Sequence, residues 1–236
     1  MRKQTMKAQD LEQLFEQQAA SYDQQWARIA PIQQALHMVL QAVFAPLPED
    51  ARILCVGAGT GSEIELLAKR HPGWSFLAVD PAPAMLERCR AKAEKGEYGQ
   101  RLQTHTGYVN ALPARANFDG ATSFLVSQFL LQRSERVAYF ADIAQRLRPG
   151  GILATSDLTA DVQDPRFEGL LQLWLSLMSA ADPSPQHLEQ MRKTYTEDVG
   201  VRPATEVESI LLEGGFLAPL RIYQAALIQA WAARKA

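Results

Sequence analysis

The segment Arg52-Ile-Leu-Cys-Val-Gly-Ala-Gly-Thr-Gly-Ser-Glu63 constrains this chain most: an apolar run meets three alternate glycines and then a helical pattern. Glycine tolerates left-handed backbone and lets a ligand lie against bare main chain. The helix start behind the loop offers N–H groups that no helical carbonyl satisfies. The order strand, glycine loop, helix is the context in which such a loop binds a ligand. A dinucleotide fingerprint needs Gly-x-Gly-x-x-Gly. Here the glycines are Gly57, Gly59 and Gly61, and the place of that fingerprint's third glycine holds Ser62. A phosphate loop needs Gly-Lys-Ser/Thr after its glycines, which is absent. The Gly-x-Gly-x-Gly form favours a nucleoside without a pyrophosphate.

Asp80 strengthens that reading. It ends the run Phe76-Leu-Ala-Val-Asp80, 19 residues after Gly61. A carboxylate there accepts hydrogen bonds from both hydroxyls of a ribose, or else it caps the next helix. Beside the glycine loop, the ribose role is preferred.

Around these motifs the chain alternates. Apolar runs at 52–56, 75–79, 102–106, 120–126 and 152–156 are separated by helical patterns at 61–70, 82–95 and 135–147. Short β-rich runs alternating with helices predict βαβ units and a parallel sheet, hence a doubly wound α/β fold. Arg148-Pro-Gly-Gly151 is a stop-and-turn signal before the fifth run. Residues 1–45 read as helix from the three-to-four spacing of Leu11, Leu14, Phe15, Ile29, Ile32, Leu36, Val39, Leu40 and Val43. Residues 164–200 read as two further helices separated by Asp182-Pro-Ser-Pro185. Thr205-Glu-Val-Glu208 has capping-box spacing and opens a short helix that ends at Gly214-Gly215. Residues 219–232 read as two consecutive strands joined by a tight turn or bulge. The expected organisation is a single domain over 1–236. Its core is 51–156 plus 205–236, and helical lid elements come from 1–45 and 157–200.

Composition narrows the function classes. Apolar residues make up 47% of 236, enough for a sizeable core. Lys plus Arg is 24 against 26 Asp plus Glu, so a nucleic-acid partner is not indicated. Cys55 and Cys89 make no disulfide framework, which fits a reducing compartment. The N-terminus lacks the apolar run of a secretory signal, and no stretch approaches the roughly 18–20 residues that cross a bilayer. A soluble, cytoplasmic protein with a small-molecule substrate is expected, its oligomeric state unknown. His37, His71, His105 and His187 lack metal-ligand spacing, so no metal site is expected. His37 reads as a core or lid residue rather than a base, and Cys89 as a packing residue rather than a reactive thiol.

Together, Tyr22-Asp23, the VGAGTG loop, Val79-Asp80 with Met85-Leu86, residues 107–113, the 118–129 stretch, Leu147-Arg-Pro-Gly-Gly151 and Glu213-Gly-Gly-Phe216 resemble class I S-adenosylmethionine-dependent methyltransferases of the small-molecule type. The resemblance spans roughly residues 20–235. It implies a mostly parallel seven-stranded sheet with a C-terminal antiparallel hairpin, and S-adenosylmethionine as cofactor with S-adenosylhomocysteine as product. It places Gly57, Ala58 and Gly59 under the methionine part, Asp80 on the ribose, and Pro81 and Met85 beside the adenine. Val109 offers backbone to the adenine edge, Phe124 and Leu125 border the amino-acid end, and Tyr22 closes over the site.

Three positions depart from the family pattern. Cys55 stands where a carboxylate near the cofactor's ammonium is usual, so another group or water must serve. Tyr108 replaces the carboxylate that bonds the adenine amino group, with Asn110 a substitute. Gln128 stands where a histidine is common. No catalytic residue is assigned, because methyl transfer from a sulfonium is an in-line displacement that needs positioning first and a base only for some acceptors. The aromatics Phe15, Tyr22, Trp26, Trp174 and Tyr195 either cement the cap or wall an acceptor pocket, in which case Trp26, Gln128 and Trp174 face the substrate. Arg166, Arg192, Lys193 and Arg202 either meet an acidic substrate or form a solvated surface. Three rivals remain: a non-catalytic S-adenosylmethionine-binding module, a tRNA-modifying transferase and, less favoured, an NAD-dependent oxidoreductase.

Overall fold

The computed structural model describes residues 8–115, 117–179 and 184–236. Seven strands form one sheet: β1 (Arg52–Val56), β2 (Ser75–Asp80), β3 (Leu102–Thr106), β4 (Phe118–Phe124), β5 (Leu147–Leu158), β6 (Phe216–Ala225) and β7 (Ile228–Lys235). Their order is β3-β2-β1-β4-β5-β7-β6. The first five are parallel, while β7 lies antiparallel between β5 and β6. The chain winds outward from β1 through β2 to β3, then returns to place β4 on the other side of β1. The carboxyl ends of β1 and β4 therefore diverge into a crevice, the usual ligand position in open α/β sheets.

Helices cover both faces. On one side lie α3 (Ala30–Phe44), α4 (Ser62–Arg70) and α5 (Pro83–Lys95), packed through Leu40, Phe44, Ile64, Leu67, Leu86 and Cys89 on Ile53, Cys55 and Phe76. On the other, α6 (Arg133–Arg146) and α9 (Ala204–Glu213) pack Phe140, Ile143, Val207 and Leu211 on Leu54, Val56 and Trp231. Successive residues of β1 thus feed opposite cores, as the two-residue period of a strand requires. Each fully buried Leu, Ile or Phe contributes about 1.5–3 kcal/mol. A third cluster joins α7 (Phe167–Met178) and α8 (Pro185–Glu197) to the ends of β5 and β7 through Phe167, Leu171, Trp174, Tyr195, Leu227 and Ile228.

Several sequence expectations are corrected. The first 45 residues are not one helix: α1 (Ala8–Gln18) and α2 (Tyr22–Trp26) are separated by a turn, and a 3₁₀ turn at Ala27–Ile29 leads into α3. Pro31 occupies the first turn of α3, where its missing N–H costs nothing; inside a longer helix it would break one. Residues 1–7 lie outside the described residues, as do two of the four separator residues at 182–185, namely Asp182 and Pro183. Arg148-Pro-Gly-Gly151 does not precede its strand but lies within β5 as a bulge, where pairing jumps from Phe118–Leu147 to Gly120–Ile152 and Gly150 takes φ +74. Thr205 sits inside α9, which starts after Pro203 without a side-chain cap. Glu208 instead accepts from Trp231 Nε1 and Arg221, each at 3.0 Å. The terminal hairpin is longer than read and turns at Ala226-Leu227, with Pro219 on the edge strand, where a missing N–H is tolerated. Among the described residues, no helix is long and apolar enough to cross a membrane.

Candidate functional site

The three loop glycines all have positive φ, but for different reasons. A Cβ on Gly57 would lie 2.3 Å from Val126 Cγ2, and one on Gly61 would lie 2.5 Å from Cys89 Sγ. These two let β4 and α5 approach the loop. A Cβ on Gly59 would meet no atom within 4 Å, so bare backbone faces open space there. The loop is pinned from below: Gly57 and Ala58 both donate to the Val79 carbonyl, at 2.8 and 3.1 Å.

Asp80 joins loop and next helix. Its Oδ2 accepts the Gly59 N–H and its Oδ1 the Ala82 N–H, both at 2.9 Å. The capping role and the place beside the loop therefore coexist, and each oxygen keeps acceptor capacity for a further donor. Burial raises its pKa, while the Ala82 and Gly59 N–H bonds act in the opposite direction.

The N-terminal helices cover this crevice. Phe15 and Tyr22 pack on Ala19, Ala82 and Met85. Glu16 accepts the Ala84 N–H at 2.9 Å, and the Tyr108 hydroxyl donates to Glu12. Asp23 accepts the Thr60 hydroxyl at 2.6 Å and pairs with Lys92 at 2.7 Å, latching α2 to the glycine loop and to α5. Burial first, then the charges of Asp80, Glu63 and Asp23, push the Tyr22 hydroxyl up, so it stays protonated. A cavity of about 150 Å³ lies here, lined by Tyr22, Trp26, Ala30, Gln33 and Ser62 among others.

The remaining predicted positions divide between two places. Met85, in the first turn of α5, and Val109, in the 3₁₀ turn after β3, are buried, with Pro81 half-buried and Asn110 exposed. Phe124 ends β4 with its ring 6.4 Å from that of His37 on α3, whose pKa burial lowers. Leu125 turns away at φ +57, an uncommon conformation for leucine that costs roughly 1 kcal/mol or more. That turn ends β4 two residues before the expected boundary. Gln128 and Trp174 lie on the cap side. The Gln128 side chain accepts the Leu158 N–H at 2.7 Å, and Trp174 Nε1 donates to the Tyr195 hydroxyl at 2.7 Å inside the cap cluster. Of the cap cations, Arg166, Lys193 and Arg202 pair with Asp164, Glu189 and Glu206.

Three buried charged residues escaped the sequence reading. Asp157 ends β5 and accepts the Ser127 hydroxyl at 2.6 Å and the Gln128 N–H at 3.0 Å, with Arg136 Nη1 3.9 Å away. Arg136 also donates to the carbonyls of Gln128, Leu130 and Gly200. Burial pushes Asp157 up, and Arg136 and Ser127 pull the other way. Glu63, in the first turn of α4, is 8% exposed, and Thr122 Oγ1 donates to it at 3.4 Å. Burial raises its pKa to about 7. Its signal was available: Glu63 lies one turn before Leu67, on the apolar stripe of its helix.

A family profile for a methyltransferase domain matches residues 53–151, from β1 into the bulge of β5. An O-methyltransferase of Aspergillus sclerotiorum is 33% identical over 50% of this chain and 44% of its own length. A carboxy-S-adenosyl-L-methionine synthase of Dichelobacter nodosus is 27% identical over 85% of this chain and 82% of its own. A solved O-methyltransferase-like structure from Nostoc punctiforme superposes with a TM-score of 0.68 at 15% identity, covering 94% of this chain and 60% of that one. The chain spans less than half the length of several curated relatives that it matches. With its glycine loop, Asp80 and a seven-stranded sheet closed by an antiparallel pair, the chain has the fold of the class I S-adenosylmethionine-dependent methyltransferases and is similar in sequence to a methyltransferase domain over residues 53–151.

Proposed function

We propose that the chain transfers the methyl group of S-adenosylmethionine to a small-molecule acceptor by in-line displacement. The observation that carries this reading is the open face of Gly59 beside the Asp80 carboxylate, in the crevice between β1 and β4. The cofactor fits the residues present. Gly57, Ala58 and Gly59 would lie under its methionine part, and Asp80 would take the ribose hydroxyls with its remaining lone pairs. Pro81, Met85, Val109 and Asn110 would surround the adenine, with Phe124 and Leu125 at the amino-acid end.

When bound, the cofactor supplies a methyl group already activated on a positively charged sulfur. The chain's own work is to orient the two reactants and exclude water, which alone lowers such barriers by about 7–11 kcal/mol in favourable cases. Tyr22 and Trp26 close the crevice from above, and Trp26 borders the acceptor space. Gln128 and Trp174 shape that space from behind, because their polar atoms are engaged in the cap. His37 is largely buried beside Phe124, which lowers its pKa and fits a core or lid role rather than that of a base.

Parallel calorimetric titrations with S-adenosylmethionine, S-adenosylhomocysteine and NAD test the cofactor. Binding of both sulfur nucleosides without NAD is expected, and NAD binding alone overturns the reading. Similarity over most of its length to a carboxy-S-adenosyl-L-methionine synthase favours a second reading, chemistry on the cofactor itself. Mass spectrometry of the released nucleoside separates the two: S-adenosylhomocysteine supports transfer, and a heavier sulfonium supports the second.

A further inference from the structure

Glu63 is a buried carboxylate without a cation. Among the described residues it forms no ion pair; its own backbone N–H donates to it, and the one side-chain donor reaching it, Thr122 Oγ1, is 3.4 Å away. Lys92 acts on it only at longer range, since its ammonium is bound to Asp23 at 2.7 Å and Thr60 at 2.9 Å. An ionised carboxylate shut away from water without a partner is costly, so such groups are found paired or with a shifted pKa.

Its surroundings lie within the candidate site. Glu63 follows Ser62, which lines the cavity under Tyr22 and Trp26. Thr122, its donor, pairs directly across β1 and β4 with Cys55 at the switch point. Cys55 is fully buried, and burial followed by the Glu63 charge pushes its thiol up, so it stays neutral. The charge missing at position 55 is therefore present close by, carried on α4 instead of β1. An ammonium has three N–H donors and no acceptor, which suits a carboxylate with unused lone pairs; a sulfonium has no donor.

Resting on the cofactor reading above, we infer that Glu63 is the anionic anchor for the α-ammonium of the bound sulfur nucleoside. The side chain starts in the first turn of α4 and lies beside Thr122, the β4 partner of Cys55, behind the glycine loop. It orients the amino-acid end so that the sulfur points toward the acceptor space.

The test is a thermodynamic cycle on the full chain. Wild type and Glu63→Gln are each titrated with S-adenosylhomocysteine and with its deaminated analogue, which keeps the carboxylate and the nucleoside. Loss of the ammonium should weaken binding about 10–100-fold in wild type and less than about threefold in Glu63→Gln. Glu63→Asp, which keeps the charge, should still discriminate between the two ligands. An equal penalty in wild type and Glu63→Gln overturns the inference, as does a wild type indifferent to the ammonium. The wild-type comparison stands even if the glutamine variant does not fold. If wild type binds neither ligand, the cofactor reading itself fails; if it binds both and the cycle closes without coupling, only the role of Glu63 fails.

Discussion

Two buried carboxylates, one on each side of the β1–β4 switch point, are both pushed up by burial but differ in their partners. Asp157, at the end of β5, has Arg136 beside it, a hydroxyl and a backbone N–H on its oxygens, and a fully buried position under the cap. Glu63, at the start of α4, has only its own backbone N–H and one long side-chain hydrogen bond, with no ion pair among the described residues, next to a cavity and to backbone left bare by Gly59. The first is a charge-paired network that joins α6, the β4 and β5 ends and the backbone at Gly200, although Arg136 Nη1, the nitrogen that faces Asp157, makes no hydrogen bond. The second is an incomplete one. A closed polar network holds structure together, whereas an unpaired buried charge marks a place where a ligand completes the electrostatics. The cap half of the molecule is built for fixing elements, and the glycine-loop half for binding.

Four perturbations break or sharpen this contrast. The largest effect is expected from Arg136→Leu, which leaves Asp157 buried without its cation and should cost about 3–5 kcal/mol of stability. Denaturant unfolding measures that loss, and nucleoside affinity at a folding-permissive temperature should hardly change. Asp80→Ala should act the other way round. Nucleoside binding should weaken about 100-fold or more, roughly 3 kcal/mol, in a chain that still unfolds cooperatively. Affinity equal to wild type would remove Asp80 from the ribose.

The third concerns pH. Burial holds Glu63 near pKa 7 in the folded chain, above its ordinary 4.5. Its contribution to stability is thus fully present below about pH 4.5 and is lost as pH rises through 7. Cys55, Cys89, Asp80, Tyr22 and Lys92 contribute to the surrounding field; the thiols and the Tyr22 hydroxyl stay neutral across this window. Ligand-free Glu63→Gln should therefore be more stable than wild type at pH 8, on the order of 2–3 kcal/mol, with the gap closing toward pH 5. Thermal melts across this range check it, and parallel curves would show that Glu63 does not titrate there.

The smallest effect is expected from Asp23→Ala. Its ion pair with Lys92 is half-exposed, so stability should fall by no more than about 1 kcal/mol. Asp23 is part of the N-terminal cover, whose Tyr22 and Trp26 line the cavity beside the glycine loop. Loosening the latch should speed ligand release, which stopped-flow displacement reads. Unchanged release kinetics would separate the cover from the binding step.

Much of this was legible because it depends on neighbours in sequence. The limits of β1 and β3 match their apolar runs, and the glycine loop and Asp80 stand out because spacing along one βαβ unit brings them together. The misreadings share a cause. Arg148-Pro-Gly-Gly151 has the chemistry of a turn, yet pairing with β4 on both sides keeps it within one strand. Thr205 and Glu208 have the spacing of a cap, but tertiary contact draws Glu208 to Trp231 and Arg221. Gln128 and Trp174 are a separate case: residue type and position offer them as substrate contacts, and the fold adds that their polar atoms are bound by Leu158 and Tyr195, partners 30 and 21 residues away.

The sequence by itself determined the α/β class, the loop with its carboxylate and the family resemblance, because strand period, helix period and motif spacing are local quantities. Only the tertiary structure decided which charges are paired. Arg136 lies 21 residues from Asp157 in the chain and Thr122 lies 59 from Glu63. Whether a buried carboxylate finds a cation or only a distant hydroxyl depends on how α4 and α6 pack on opposite faces of the sheet. Burial sets the cost of that charge, and packing alone sets burial.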